Sequence, residues 1–236
     1  MNERLKKYYQ WRIKTILKRK LHIENKILNI ITPSYSYSTR NLLLHRAIDS
    51  VVKQSEHHLR VNHLIYFDGL APQNLNVKSP IWYSLKVLSN EKCLRYSTDF
   101  RNEGLHAATG GWVMMLSDCN ELVPGAFTAI EKLLVVTAGT ILFHVRRDND
   151  NQVIPVSLDQ TGLCDSSSLA ILVNSDIAWM VGYQHRILRD FQYIENIRAM
   201  AAHYGFANRT AEDVIGIDRD AIVVSDSVEE AQCQNH

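Results

Sequence analysis

Apolar residues in this chain fall into short runs, each closed by a turn signal. Ile27-Leu28-Asn29-Ile30-Ile31 is the first, and its branched side chains predict a buried strand. Thr32-Pro33-Ser34-Tyr35-Ser36 breaks it, since proline has no N–H to give a central ladder. A helix capped at Ser38 or Thr39 is expected next, with Leu43, Ala47, Ile48, Val51 and Val52 as its apolar stripe and His57-His58 as its exposed end. Val61 to Phe67 reads as a second strand closed by Asp68-Gly69, residues 70–80 as a loop, and Ile81 to Leu88 as a third strand.

A short helical segment then carries Arg101-Asn102-x-Gly104 and stops at Gly110-Gly111, as a glycine pair after the last helical residue should. Trp112 to Leu116 is uninterruptedly apolar, the pattern of a strand covered on both faces. Ser117-Asp118-Cys119-Asn120-Glu121 follows as an acidic loop, and Pro124 is placed to open another helix. Thr140 to Val145 and Val153 to Val156 predict a hairpin. Leu169 to Val173 predicts one more strand. Trp179 to Tyr183 leads into a basic turn with His185, Arg186 and Arg189. Asp190 then starts, and caps, a helix with Phe191, Ile194, Ile197 and Ala201 on one face. After Gly205 the one apolar run is Ala221 to Val224, ahead of a polar tail.

Strands and helices alternate up to Trp112, which predicts an α/β fold, and the later hairpin adds antiparallel strands. The expected architecture is a single domain over residues 25–225 with a mixed, mostly parallel sheet flanked by helices. A basic helix over 1–24 precedes it, and a tail over 226–236 follows.

Composition changes this picture little. Hydrophobic residues make up 46% of 236, enough for a sizeable core, and no run is long enough to span a bilayer. The N-terminus lacks the apolar stretch of a secretory signal. Cys93, Cys119, Cys164 and Cys233 are far apart, which fits neither a zinc site nor a disulfide framework. A reducing, cytoplasmic setting is expected.

Charge matters more. The net value of +1 hides a leader, residues 1–20, holding eight Lys and Arg against Glu3 alone. Leu5, Tyr9, Ile13, Ile16 and Leu17 recur there at helical spacing. Such a helix packs on its own domain or lies on anionic lipid, which would bring the protein to the inner face of the membrane. The acidic remainder carries no recognition motif and argues against nucleic acid.

Ligands of open α/β sheets bind beyond the carboxyl ends of the strands. The acidic loop after the Trp112 strand is therefore a candidate site for a metal and a phosphorylated ligand, or simply a solvated turn with a helix cap. Thr32-Pro-Ser-Tyr, Asp68-Gly69, Arg101-Asn102-x-Gly104, Ala107-Ala-Thr-Gly and Leu116-Ser-Asp-Cys-Asn-Glu-Leu-Val-Pro-Gly stand in order over residues 27–130. Together they resemble family-two glycosyltransferases of the GT-A fold.

That resemblance implies an inverting, metal-assisted hexosyltransferase. It would take a nucleotide sugar, above all a UDP-sugar, and pass the sugar to a glycan or lipid-linked acceptor. It implies that Thr32, Pro33 and Tyr35 flank base and ribose, that Asp68 holds the base, and that Arg101 with Asn102 lies near the diphosphate. Ser117 and Asp118 would meet the donor, and Asp118 with Asn120 would hold Mn2+ or Mg2+. Asn120 departs from the family's Asp-x-Asp, because an amide oxygen brings no charge. The general base would be Asp190, with Asp165 and His185 as other candidates; Arg189 stands where the family often has a second acid. Two other readings remain beside the enzyme. One is a degenerate domain that binds nucleotide or glycan without turnover. The other is a nucleotidyltransferase, though the glycine-rich basic loop that reaction uses is absent after the first strand.

Overall fold

The computed structural model describes residues 26–35, 38–69, 75, 77–90, 97–108, 110–134, 138–154, 171–181 and 189–219. The leader helix, Asp165, His185, the Ala221–Val224 run and the tail lie outside the described residues. The strands are β1 Ile27–Tyr35, β2 Arg60–Asp68, β3 Tyr83–Asn90, β4 Trp112–Met115, β5 Glu121–Leu122, β6 Ala138–Arg147, β7 Val153–Ile154, β8 Ile171–Asn174 and β9 Ala207–Asp218. The helices are α1 Ser38–Val52, α2 Ser97–Ala107, α3 Ala126–Leu133, α4 Ser175–Val181 and α5 Arg189–His203.

The strands form one sheet in the order β3-β2-β1-β4-β8-β6-β9-β5, with β7 paired to β6. The long ladders, β1 to β2, β2 to β3 and β6 to β9, are parallel, and β1 pairs parallel with β4. The short pairings through β8, β5 and β7 are antiparallel. This is the mixed α/β sheet flanked by helices that the alternation of elements predicts.

Central strands read as apolar because both faces are covered. Leu28, Ile30 and Ile31 of β1 and all of β4 are buried. Leu44 and Ile48 of α1 close on Ile65 and Phe67 of β2. On the other face α2 meets β1 at Gly104, where a Cβ would stand 2.4 Å from Ile31 Cγ2. Gly111 has φ +71, and a Cβ there would sit 2.3 Å from the Ile27 carbonyl, so only glycine lets β4 start this close to β1. The Asn29 amide donates to the Gly110 and Trp112 carbonyls at 2.9 and 3.1 Å and fixes that turn from within β1.

Several boundaries differ from expectation. α1 ends at Val52, and the positive φ of 58° at Glu56 keeps His57-His58 out of the helix. His57 is half-buried against Trp82 and Phe127, while His58 pairs with Glu131. β3 starts at Tyr83, since the Tyr83 N–H bonds the Pro80 carbonyl in a turn that leaves Ile81 exposed. Gly125, not Pro124, precedes the helix α3. α4, β5 and β9 were not expected at all.

Candidate active site at the carboxyl edge of the sheet

After β1 the chain builds outward through β2 and β3, then returns to lay β4 on the opposite side of β1. Loops leaving β1 and β4 therefore diverge, and the crevice between them is the switch point where open α/β sheets take ligands. The Leu116 N–H still bonds the Ile31 carbonyl at 3.0 Å, so the acidic loop departs beside Thr32 to Ser34.

Asp118 lies there, 1% exposed, and its Oδ2 accepts the Ser34 hydroxyl at 2.8 Å. Asp68 ends β2 and pairs in register with Tyr35 on β1. Because α2 links two parallel strands it runs back down the sheet, with its N-terminus at the same edge. Gly104 marks its contact with Ile31. Arg101, one turn earlier on that face, lies about 4.5 Å nearer the edge. Arg101 and Asn102 are both half-buried. The fold thus brings Pro33, Tyr35, Asp68, Arg101, Asn102, Ser117 and Asp118 to one edge.

Thr32 shares the edge, but its side chain turns inward. It is fully buried, and its Oγ1 lies 2.8 Å from His63 Nε2, while His63 Nδ1 lies 2.9 Å from the Tyr83 hydroxyl. Burial among neutral partners pushes the imidazole down to about 3. Thr32 can meet a ligand only through its backbone.

The acidic loop is held from two sides. From α1, Ser50 Oγ accepts the Leu122 N–H at 3.0 Å, and the Gln54 amide donates to the Val123 carbonyl at 2.9 Å. From β9, the Ile215 carbonyl accepts the Val123 N–H at 3.1 Å. Asn120 belongs to this second set: its Oδ1 accepts the Arg219 N–H at 3.1 Å. Arg219 also reaches Glu121 at 3.0 Å and Asp148 at 2.7 Å, and Glu121 pairs with Arg46 of α1.

This bears on the implied metal. Among the described residues no three His, Cys, Asp or Glu side chains cluster as a ligand set. Asp118 supplies one carboxylate, and the amide oxygen of Asn120 is engaged by the backbone of Arg219. One carboxylate fits a divalent ion whose remaining ligands are phosphate oxygens and water; it does not fit a metal held by the protein alone.

Asp190 sits in the first turn of α5, one residue inside the helix rather than at its cap. α5 packs on α4, β6 and β9, the other half of the sheet. Sequence reasoning missed Ser34, Ser50, Gln54, His63 and Arg219. Only Ser34 and His63 left a trace, as polar positions in otherwise apolar strands.

No family model matches the sequence, and no curated protein matches it. In structure the chain is similar to TarS of S. aureus, with TM-score 0.63 at 15% identity over 81% of this chain and 60% of that one. It is similar to TarS in complex with UDP-GlcNAc, with TM-score 0.62 at 13% identity over 85% and 60%. A third similar structure is the mannosyltransferase PcManGT from Pyrobaculum calidifontis in complex with GDP-Man and Mn2+, with TM-score 0.56 at 15% identity over 96% and 68%. The chain spans about 60% of the length of these TarS structures. Its fold is the GT-A glycosyltransferase fold.

Proposed function

We propose that this GT-A domain is a glycosyltransferase that moves a sugar from a nucleotide donor, a UDP-sugar first, to a glycan or lipid-linked acceptor with inversion. The observation that carries the reading is Asp118, a buried carboxylate fixed at the switch point between β1 and β4. The similar structures hold UDP-GlcNAc, or GDP-Man with Mn2+, which supports a nucleotide-sugar donor.

In this reading the acceptor oxygen attacks the anomeric carbon as the bond to the diphosphate breaks. Asp190 takes the hydroxyl proton, with Asp165 as the other candidate base. Arg101 faces the diphosphate, where a planar guanidinium matches phosphate oxygens, and Asn102 and Ser117 line the donor beside it. Asp68 reads the base, with Pro33, Tyr35 and the Thr32 backbone along the nucleoside. Mn2+ or Mg2+, entering with the donor and held by Asp118, would offset charge on the leaving group.

A screen of UDP- and GDP-sugars, reading nucleoside diphosphate release with and without manganese, tests this. Release by the wild type and none by Asp118→Ala is expected; binding without release by any donor supports a non-catalytic domain instead. The engagement of Asn120 by Arg219 favours that second reading.

The leader, residues 1–20, is proposed as a peripheral membrane contact, at the inner face in a cytoplasmic setting. Among the described residues no helix is long and apolar enough to cross a membrane. The full chain is expected to sediment with anionic vesicles, less so as salt rises. Loss of sedimentation on deleting residues 1–20 assigns the contact to the leader, and no sedimentation at low salt excludes it.

A further inference from the structure

We infer that Ser34 is a positioning residue for Asp118, and that its hydroxyl sets the orientation in which this carboxylate meets a divalent ion bound with a nucleoside diphosphate. The inference rests on the donor-site reading above and names a residue that reading does not use.

Ser34 is 1% exposed, on the central strand of the longest parallel ladder, which runs in register from Ile27 opposite Arg60 to Tyr35 opposite Asp68. Its backbone is fixed by pairing, so its hydroxyl starts from a rigid base. Asp118 is on a loop. The backbone of that loop is tied at Ser117 by the Asn120 N–H and at Leu122 by Ser50, and the Asn120 side chain anchors it to the Arg219 N–H. Those ties hold the loop, while the Ser34 hydroxyl meets the Asp118 carboxylate itself. Ser34 has one proton, and at 2.8 Å it goes to Oδ2. A hydrogen bond from a fixed strand to a carboxylate ligand is the arrangement by which outer partners orient groups around a metal. It counts for more here, because the amide at position 120 faces Arg219 and leaves Asp118 as the carboxylate of the Asp-x-Asn triplet to be aimed.

Ser34 also shares a strand face with Thr32, two residues back, whose side chain bonds His63. The end of β1 therefore presents two hydroxyls to one face. One is tied into the core, and the other is bonded to the acidic loop.

The test uses the full chain and calorimetric titration of UDP and of GDP, each with Mn2+ and each with EDTA. The wild type is expected to bind one of them more tightly with manganese. Ser34→Ala should lose about 10- to 100-fold of that manganese-dependent gain, with affinity in EDTA and the melting temperature of the ligand-free protein unchanged. A merely structural role would weaken binding equally with and without metal. If Ser34→Ala does not fold, Ser34→Cys, close in size and a weak donor, is read in the same way. Ser34→Ala with a wild-type manganese gain, where Asp118→Ala has lost it, overturns the role of Ser34 and spares the donor site. A wild type that binds neither nucleotide with manganese overturns both.

Discussion

Asn120 shows how a residue read from a motif changes meaning once its partner is seen. From sequence alone, a carboxylate at 120 is expected to tighten metal binding, since it adds charge to the triplet. In the fold the 120 side chain faces the Arg219 N–H, and the Arg219 guanidinium lies on neighbouring Glu121. A new carboxylate would be drawn to that cation. Asn120→Asp is therefore expected to leave manganese-dependent nucleotide affinity within about twofold of wild type, a factor worth under half a kcal/mol. Asp118→Asn should abolish the manganese dependence. A tenfold gain in Asn120→Asp would return position 120 to the metal. Asp190→Asn separates base from helix-terminus residue, because asparagine suits a helix start nearly as well but cannot take the proton. A fall in turnover of roughly 10²–10⁴ with unchanged stability is expected, and near-wild-type turnover would move the role to Asp165. The placement of Asp118 was legible as an acid directly after an apolar run, and that of Asp68 and Arg101 through the family resemblance. Ser34 and Arg219 were not, because their part depends on what faces them across 84 and 99 residues of chain.

Elements put those residues in place, and the α2 contact with β1 is the narrowest joint. Replacing Gly104 by alanine gains about 1 kcal/mol in helix propensity. It also drives a Cβ to 2.4 Å from Ile31 Cγ2, a branch next to the backbone that cannot swing away. Overpacking of this kind costs about 1–3 kcal/mol, so the clash wins. Gly104→Ala is expected to lower the urea midpoint and, by lifting α2, to weaken nucleotide binding through Arg101. Unchanged stability would mean that the helix re-seats freely. The same joint was half legible in sequence, as a glycine inside a helical pattern. Strand β9 was not legible. Its burial follows no period of two, because its pairing with β6 shifts register three times, and its sequence Ala207-Asn-Arg-Thr-Ala-Glu-Asp reads as polar loop. α4 was hidden differently: its start is marked by Asn174, whose Oδ1 accepts the Asp176 N–H at 3.0 Å, but seven residues carry too little periodicity to register. Short antiparallel strands such as β5 exist only because β9 is there to pair with them.

For the molecule as a whole, the buried column of Thr32, His63 and Tyr83 links the first three sequence segments of the sheet and sets how stability responds to acid. His63 is completely buried and held down to about 3 by desolvation, against an ordinary value of 6.5. Between those values the unfolded chain binds a proton at this residue and the folded chain does not. Stability therefore rises with pH: this contribution is complete above about 6.5 and is lost as pH falls, by up to about 1.4 kcal/mol per pH unit until the folded value is reached. His57, also pushed down, chiefly by burial and by its neighbour His58 against the opposing pull of Glu131, adds in the same direction. Replacing His63 by glutamine keeps a donor and an acceptor between Thr32 and Tyr83 but removes the titration. The variant is expected to be less stable than wild type at pH 7.5, from imperfect packing, and to close the gap as pH is lowered to 5. Urea unfolding at pH 7.5, 6.5, 5.5 and 5 measures this directly. Parallel pH profiles for wild type and His63→Gln would mean that water reaches the imidazole in the folded protein, and that the column under the carboxyl edge of the sheet is less dry than its burial implies.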